Sequence, residues 1–198
     1  MLEKLRKAMK TADIDMLLIP SADPHGSEYP EEYFKARKHF SGFTGSAGTL
    51  LIWQGGAGLW TDGRYFLQAE RQLEGSGIDL FKMREPGVPT VDEFIAENIK
   101  GGVLGADLRT ISASEGMELE KGGAILKDCR SLIDGCWEGR PELSREPAYV
   151  LPMELAGVSS SDKLGAVRAE MARCDANACI FTDLADIAWL FNIRGNDV

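Results

Sequence analysis

The hydrophobic pattern of the chain opens with a helix followed by a strand. Leu2, Leu5 and Met9 are spaced to share one face of a helix. The apolar run Met16–Ile19 then predicts a short, fully buried strand that stops at Pro20. The chain therefore starts with a helix–strand unit of the kind found in α/β proteins.

Strand-like and helical segments continue to alternate up to about residue 137. Two apolar runs, 48–53 and 58–61, flank a glycine-bearing connection and predict a β-hairpin. Thr90 and Glu93 have the spacing of a capping box, in which each side chain bonds to the other residue's backbone amide. The other predicted elements are strands over 78–83, 102–106 and 124–126, and helices over 65–73, 90–99, 131–137 and about 112–121, the last capped by Ser112 or Ser114.

The opening unit recurs after a segment rich in proline and serine, whose composition is typical of a linker. Leu164, Val167 and Met171 repeat the spacing of the first helix, and the apolar run Ala178–Phe181 falls where the first strand fell. We therefore expect two similar domains in tandem, against the alternative that two common helix–strand units agree by chance. The expected boundaries are 1–140 for the first domain, 141–160 for the linker and 161–198 for an incomplete start of the second.

Composition and charge narrow the class of protein. The chain has 22 Lys and Arg against 31 Asp and Glu, and its net charge of −9 argues against a nucleic-acid partner. No apolar stretch approaches the roughly 18 residues of a membrane span. The charged N-terminus lacks the apolar core of a signal peptide. We therefore expect a cytoplasmic protein without a membrane partner, whose four cysteines are free structural thiols.

Glycines at 42, 45 and 48 give the segment 40–48 some likeness to a phosphate-binding loop. The segment lacks the Gly-Lys-Ser/Thr ending, and the predicted strand follows it instead of preceding it. Turns and close backbone packing therefore explain these glycines better than nucleotide binding does.

His25 is a candidate metal ligand together with Asp23 and Glu28, because imidazole and carboxylate suit Zn²⁺ or Mn²⁺. The chain has only two histidines, so a loop held by Asp and Ser side chains bonded to local amides is the favoured interpretation. A serine nucleophile at Ser27 or Ser46 is weaker still, because no G-x-S-x-G motif is present.

The sequence Asp62-Gly63-Arg64 predicts a tight turn at the end of a strand. Such a turn would present Arg64 to a carboxylate or a phosphate, which a guanidinium binds through two parallel hydrogen bonds. A structural pair between Arg64 and Asp62 or a nearby glutamate is the favoured alternative.

The segments 21–29, 40–48 and 59–69, in this order, resemble the N-terminal portion of the three-domain Xaa-Pro aminopeptidases of the creatinase/prolidase group. The chain departs from the family pattern at Ala36, where many members have Arg, and at Thr44, where Asp is frequent. The resemblance continues through Gly87-Val-Pro-Thr90, Gly105-Ala-Asp107, Ile133–Trp137, Gly157–Lys163 and Thr182–Val198.

The resemblance implies a mixed α/β sheet flanked by helices, of the ribonuclease H-like kind, and the start of a second such domain. In the family a pita-bread catalytic domain follows and binds two Mn²⁺ or Zn²⁺ ions; we expect that domain, its metals and all catalytic residues to be absent from this chain. The full-length protein would be a homodimer acting on proline-containing peptides. The candidates for the dimer interface or the active-site rim are Asp62, Arg64, Tyr65, His25 and Tyr29.

Two functional hypotheses remain. The chain is either the inactive N-terminal part of an Xaa-Pro aminopeptidase, or a free-standing interaction and dimerisation module that lost the catalytic domain. Binding of a small molecule, in the manner of creatinase or prolidase, is less favoured because the long linker and second copy imply the three-domain layout.

Overall fold

The computed structural model describes residues 1–195, and the chain forms two compact units divided after Glu142. The three final residues, which end the matched segment Thr182–Val198, lie outside the described residues. Within the described part, no helix is both long and apolar enough to span a bilayer.

A six-stranded mixed sheet forms the centre of the first unit, in the order β4-β3-β2-β1-β5-β6. Its strands are β1 (Met16–Pro20), β2 (Thr49–Trp53), β3 (Gly56–Thr61), β4 (Asp79–Lys82), β5 (Val103–Ala106) and β6 (Ile125–Asp128). Strand β2 is antiparallel to β1 and β3, whereas the other neighbouring pairs are parallel. The carboxyl ends of all strands except β2 therefore lie at one edge of the sheet, beside the amino end of β2.

Helices cover both faces of this sheet. They are α1 (Leu2–Thr11), α2 (Ala36–Ser41), α3 (Phe66–Leu73), α4 (Val91–Ile99), α5 (Ala113–Lys121) and α6 (Arg130–Cys136), with 3₁₀ turns at Glu32–Phe34 and Leu108–Thr110. One core lies between the sheet and α1, α2, α3 and α6, and a second lies between the sheet and α4 and α5. Leu17 and Ile19 of β1 face the first core while Met16 and Leu18 face the second, as predicted for a strand buried on both sides.

Local sequence explains several element boundaries. The two-residue turn Gln54-Gly55 joins β2 to β3 in the predicted hairpin. Thr90 and Ser112 each form a capping box with the glutamate three residues later, so Ser112 and not Ser114 caps α5. The predicted mixed sheet flanked by helices is thus confirmed, whereas α2 was not predicted.

The described part of the second unit contains three helices and one short strand pair. The strands β7 (Tyr149–Val150) and β8 (Ile193–Arg194) are antiparallel, and the helices are α7 (Met153–Ala156), α8 (Ser160–Arg173) and α9 (Leu184–Phe191). Lys163 of α8 donates to the Trp189 carbonyl at 2.8 Å and to Asn192 Oδ1 at 2.6 Å, which ties α8 to the end of α9. The segment 141–160, which the sequence predicts to be a linker, contains β7, α7 and the first residue of α8.

The predicted buried strand Ala178–Phe181 is wrong. The structure assigns no strand there, and Ile180 is 86% exposed. A strand requires a neighbour to bond with its backbone, and in the described part of the second unit the β7–β8 pair is the only ladder. Without a neighbouring strand, the apolar run does not become buried.

Candidate functional site

Loops from several strands meet at the carboxyl edge of the first unit's sheet. The segments that follow β1, β3 and β5 leave the sheet there, and the loop 42–48 enters β2 at the same edge. In open α/β sheets, ligands bind at this edge between two neighbouring strands whose following connections run in opposite directions. Strands β1 and β5 are such a pair, because β1 leads to β2 on one side and β5 leads to β6 on the other.

Asp62-Gly63-Arg64 forms the predicted turn immediately after β3. Asp62 Oδ1 accepts from the Arg64 amide at 3.0 Å and from Arg64 Nε at 2.9 Å, and Oδ2 accepts from the guanidinium at 2.8 Å. These hydrogen bonds lower the pKa of Asp62 and raise the pKa of Arg64. The Arg64 side chain remains 62% exposed. The favoured pair between the two residues is therefore present, on a surface open to other molecules.

Tyr65 connects this turn to the loop before β2. Its hydroxyl lies 2.8 Å from Ser46 Oγ, and its ring packs edge-on against Phe43 at 5.8 Å between centroids. A Cβ added to Gly45 would lie 2.3 Å from the Phe43 ring and 2.8 Å from the Tyr65 ring. Close packing explains Gly45, as the sequence indicated, and a φ of +73° explains Gly42 at the end of α2.

His25 and Tyr29 lie on the exposed segment after β1. Asp23 Oδ1 accepts from the His25 amide at 2.9 Å and from the Ser27 amide at 3.0 Å, so a local side-chain turn holds the segment as predicted. His25 lines a broad depression of about 590 Å³, and Tyr29, which is 78% exposed, lines a smaller pocket of about 220 Å³.

The two depressions adjoin, because Glu28 and Ser46 line both of them. Ser46 also bonds to Tyr65, and the charge of Glu28 contributes to the raised pKa of Arg64. The fold thus gathers the five candidate residues at one edge of the sheet. In the described part of the chain, no hydrogen bond joins His25 or Tyr29 to the Asp62 turn.

Sequence reasoning assigned no role to Arg37, which lies beneath the smaller pocket. Its side chain is buried against neutral acceptors: Ser21 Oγ at 2.8 Å and the carbonyl oxygens of Phe43 and Gly45. Burial lowers the pKa of Arg37 to about 10. Arg37 lies on the buried side of α2 together with Ala36 and Phe40, whose side chains both enter the core.

Side chains suited to metal binding are dispersed. No group of three or more His, Cys, Asp or Glu that could hold a metal ion occurs among residues 1–195. Burial is the main cause that raises the pKa of the Cys129 and Cys136 thiols, so they are weak nucleophiles. Cys174 and Cys179 are exposed free thiols.

Comparison with known proteins assigns the family. Models described as "Creatinase/Prolidase N-terminal domain" match residues 1–136 and residues 139–198. The chain therefore belongs to the creatinase/prolidase N-terminal domain family, as the sequence motifs implied.

Individual relatives carry more specific names. The chain is 40% identical over 198 residues to "Aminopeptidase P1" of Lotus japonicus, covering 96% of this chain and 30% of that protein. It is 40% identical over 204 residues to a "Probable Xaa-Pro aminopeptidase P" of Coccidioides posadasii, covering 100% of this chain and 33% of that protein. The chain thus spans about a third of the length of these curated relatives.

Solved structures support the same assignment. An X-prolyl aminopeptidase from Caenorhabditis elegans, described as a cytosolic enzyme with a di-nuclear active site, matches with a TM-score of 0.83 and 33% identity over 100% of this chain and 35% of that one. An X-Pro aminopeptidase from Thermotoga maritima matches 68% of this chain and 35% of its own with a TM-score of 0.53 and 17% identity, which supports the fold alone.

Proposed function

We propose that this chain is the non-catalytic N-terminal part of a metal-dependent Xaa-Pro aminopeptidase, which removes the N-terminal residue that precedes proline. The observation that carries this proposal is the 40% identity over nearly the whole chain to aminopeptidase P proteins of which the chain covers only about a third. The 33% identity and TM-score of 0.83 to the Caenorhabditis elegans enzyme support it further.

The proposed contribution of this chain is to dimerisation and to the rim of the active site. Arg64 and Tyr29 are exposed at the sheet edge, where the Asp62 turn and the Asp23 turn hold the backbone on either side. An exposed guanidinium and an exposed phenol in fixed positions suit contact with a partner subunit or with a bound peptide. These contacts would orient the N-terminus of a proline-containing peptide without taking part in bond cleavage.

The metals belong to the part of the enzyme outside this chain. Two Mn²⁺ or Zn²⁺ ions would activate the water that attacks the peptide carbonyl. We propose that this chain supplies none of their ligands. We also propose a cytoplasmic location for the full-length homodimer, in keeping with the description of the Caenorhabditis elegans relative as a cytosolic enzyme.

The catalytic part of the proposal is tested with the purified chain, Mn²⁺ and a peptide that begins Arg-Pro-Pro. We expect no release of the N-terminal arginine, while a full-length Xaa-Pro aminopeptidase assayed in parallel releases it. Robust turnover by the chain alone would overturn its non-catalytic assignment. The coding DNA beyond Val198 separates the two hypotheses: an open frame encoding two Asp, one His and two Glu ligands supports the enzyme, and an immediate stop codon supports the free-standing module.

The rim is tested in the protein encoded by the complete reading frame. We expect Arg64→Ala to change kcat/KM for a nine-residue peptide more than for a tripeptide, or to raise the dimer dissociation constant measured by sedimentation. Lys10→Ala, an exposed change on α1 away from the sheet edge, is the matched control. Equal behaviour of the two variants in both measurements would remove Arg64 from the rim and from the interface.

A further inference from the structure

Arg37 is a buried cation without a counter-ion. Its side chain lies in the first unit with 6% of its surface exposed, and its three hydrogen bonds go to a hydroxyl and two carbonyl oxygens. No carboxylate among residues 1–195 forms an ion pair with it. The guanidinium is therefore hydrogen-bonded and lies over the Phe43 ring at 4.9 Å, but it has no carboxylate partner.

An uncompensated buried charge is costly. Moving an ion out of water into a protein is unfavourable, and neutral acceptors recover only part of the lost solvation. The lowered pKa of Arg37 has the same cause, because burial is the only influence that lowers it. An anion placed beside the guanidinium would recover more of the cost than another neutral group would.

The pocket of about 220 Å³ provides a place for that anion. Arg37 forms part of its wall, and Lys35 and Lys38 add two further cations. Lys35 is paired with Glu32. Among the described residues that line the pocket Glu28 is the one carboxylate, and its charge also acts on Arg64 at the neighbouring turn. The balance of charge in the pocket is therefore positive.

The rest of the lining combines the apolar side chains of Pro20, Pro30 and Phe34 with the hydroxyl groups of Ser21, Thr44 and Ser46. Tyr29 also lines the pocket and is exposed. The volume lies below the roughly 300–1,000 Å³ of pockets for drug-sized ligands, so the pocket suits a molecule of about amino-acid size. Cationic side chains beside those of Pro30 and Phe34 favour a carboxylate attached to a small apolar group over inorganic phosphate.

We propose that this pocket binds an organic monocarboxylate, with the carboxylate facing Arg37 and Lys38 and the apolar group against Phe34. The ligand is either a free carboxylic acid or the C-terminal carboxylate of a peptide, and both present the same chemistry. This inference stands independently of the proposed function, because it uses only contacts within the first unit.

The test is an NMR titration of the chain with benzoate, at an ionic strength held constant with sodium chloride. We expect saturable shifts at the amides of Phe34, Arg37 and Lys38, with a dissociation constant on the order of 1 mM. Benzamide, which has the same ring without the charge, should bind at least about tenfold more weakly. Shifts that match those of benzamide or of chloride alone would overturn the proposal.

A second arm separates the two sources of carboxylate. N-acetyl-glycyl-leucine is titrated beside its C-terminal amide. Tighter binding of N-acetyl-glycyl-leucine than of benzoate identifies a peptide C-terminus as the ligand. Tighter binding of benzoate identifies a free carboxylic acid. If neither acid binds, the proposal fails.

Arg37→Met is not a useful variant, because it removes the hydrogen bonds that hold the loop before β2 and is expected to disturb the fold. The charges at the rim of the pocket are changed instead. Lys38→Gln should weaken benzoate binding roughly threefold, and Glu28→Gln should strengthen it by a similar factor, as expected for single charges in contact with water. Lys10→Gln, on α1 and outside the lining, should leave it unchanged. Unchanged affinity in both rim variants would contradict the proposal.

Discussion

The hydroxyl of Tyr65 lies 2.8 Å from Oγ of Ser46, and this contact ties the start of α3 to the loop that leads into β2. The same loop receives two hydrogen bonds from Arg37, at the carbonyl oxygens of Phe43 and Gly45. Residues from two helices, Arg37 of α2 and Tyr65 at the start of α3, thus fix one loop at the carboxyl edge of the sheet. The loop's conformation depends on contacts that single substitutions can remove one at a time.

Tyr65→Phe removes the bond to Ser46 and keeps the ring contact with Phe43. We expect the free energy of unfolding to fall by about 1 kcal/mol, the usual net value of a partly buried hydrogen bond. Urea denaturation followed by tryptophan fluorescence measures this loss. Tyr29→Phe is the matched control, because Tyr29 is 78% exposed, and it should leave the urea midpoint unchanged. Equal midpoints for both variants would mean that the Tyr65 bond contributes nothing.

Gly45→Ala places a methyl group against the rings of Phe43 and Tyr65, at distances that real Cβ atoms do not tolerate. We expect a loss of about 1–3 kcal/mol from overpacking, measured by the same urea denaturation. Gly135→Ala is the contrasting change, since Gly135 lies within α6 and an added Cβ meets nothing within 4 Å. That variant should gain about 0.5–1 kcal/mol from helix propensity. The prediction is wrong if Gly45→Ala is as stable as Gly135→Ala.

Ser112→Ala removes the side chain that accepts from the Glu115 amide at the start of α5. We expect a loss of about 1 kcal/mol in unfolding free energy. Ser114→Ala lies inside the same helix and should cost less than about 0.5 kcal/mol, because alanine is the better helix former. Thermal unfolding of both variants shows which of the two serines caps α5. A larger loss at Ser114 would contradict the cap assignment.

His39 lies against Trp137 in a stacked arrangement, with ring centroids 4.4 Å apart. Burial lowers the pKa of His39, so the unfolded chain binds a proton more readily than the folded chain does. The stability that depends on neutral His39 is therefore fully present above the unfolded pKa of about 6.5 and is lost as the pH falls below it.

His39→Phe keeps an aromatic ring against Trp137 and removes the group that binds the proton. We expect the urea midpoint of this variant to change less between pH 7.5 and pH 5.5 than that of the natural chain. The control is His25→Gln, because His25 is exposed and takes no part in this stack. The urea midpoint of this variant should change with pH as much as that of the natural chain. An identical pH dependence in the natural chain and in His39→Phe would rule out His39 as the cause.

Residues 178–181 lie outside any strand, and Ile180 is 86% exposed. We expect their amides to exchange with solvent far faster than those of β1, whose backbone is paired on both sides. Hydrogen exchange read by mass spectrometry or NMR measures both segments in one experiment. Protection of 178–181 equal to that of β1 would show a strand pairing that the structure lacks.

Elements specified by neighbouring residues could be predicted from the sequence. Thr90 and Glu93 are three residues apart, so their capping box depends on little beyond the local chain. The β2–β3 hairpin is also local, since Gly55 lies in the two-residue turn between Trp53 and Gly56. The Asp62–Arg64 pair follows the same rule, because its partners are two residues apart.

Features that depend on distant partners could not be predicted. The run Ala178–Phe181 is apolar, but burial requires a neighbouring strand, and the sequence of the run does not say whether one is present. Arg37 was assigned no role because its acceptors are backbone carbonyls and one hydroxyl, none of which has a distinctive sequence signal. Helix α2 is only six residues long and contains three basic residues, so its apolar face is too short to show a period.

The Asp23 turn also makes the first unit useful as a scaffold for protein engineering. The hydrogen bonds from the His25 and Ser27 amides close the turn at its base, and the segment beyond it lies outside both cores. A peptide epitope grafted between Ser27 and the buried Pro30 would thus be displayed on the surface without rebuilding the turn or the sheet.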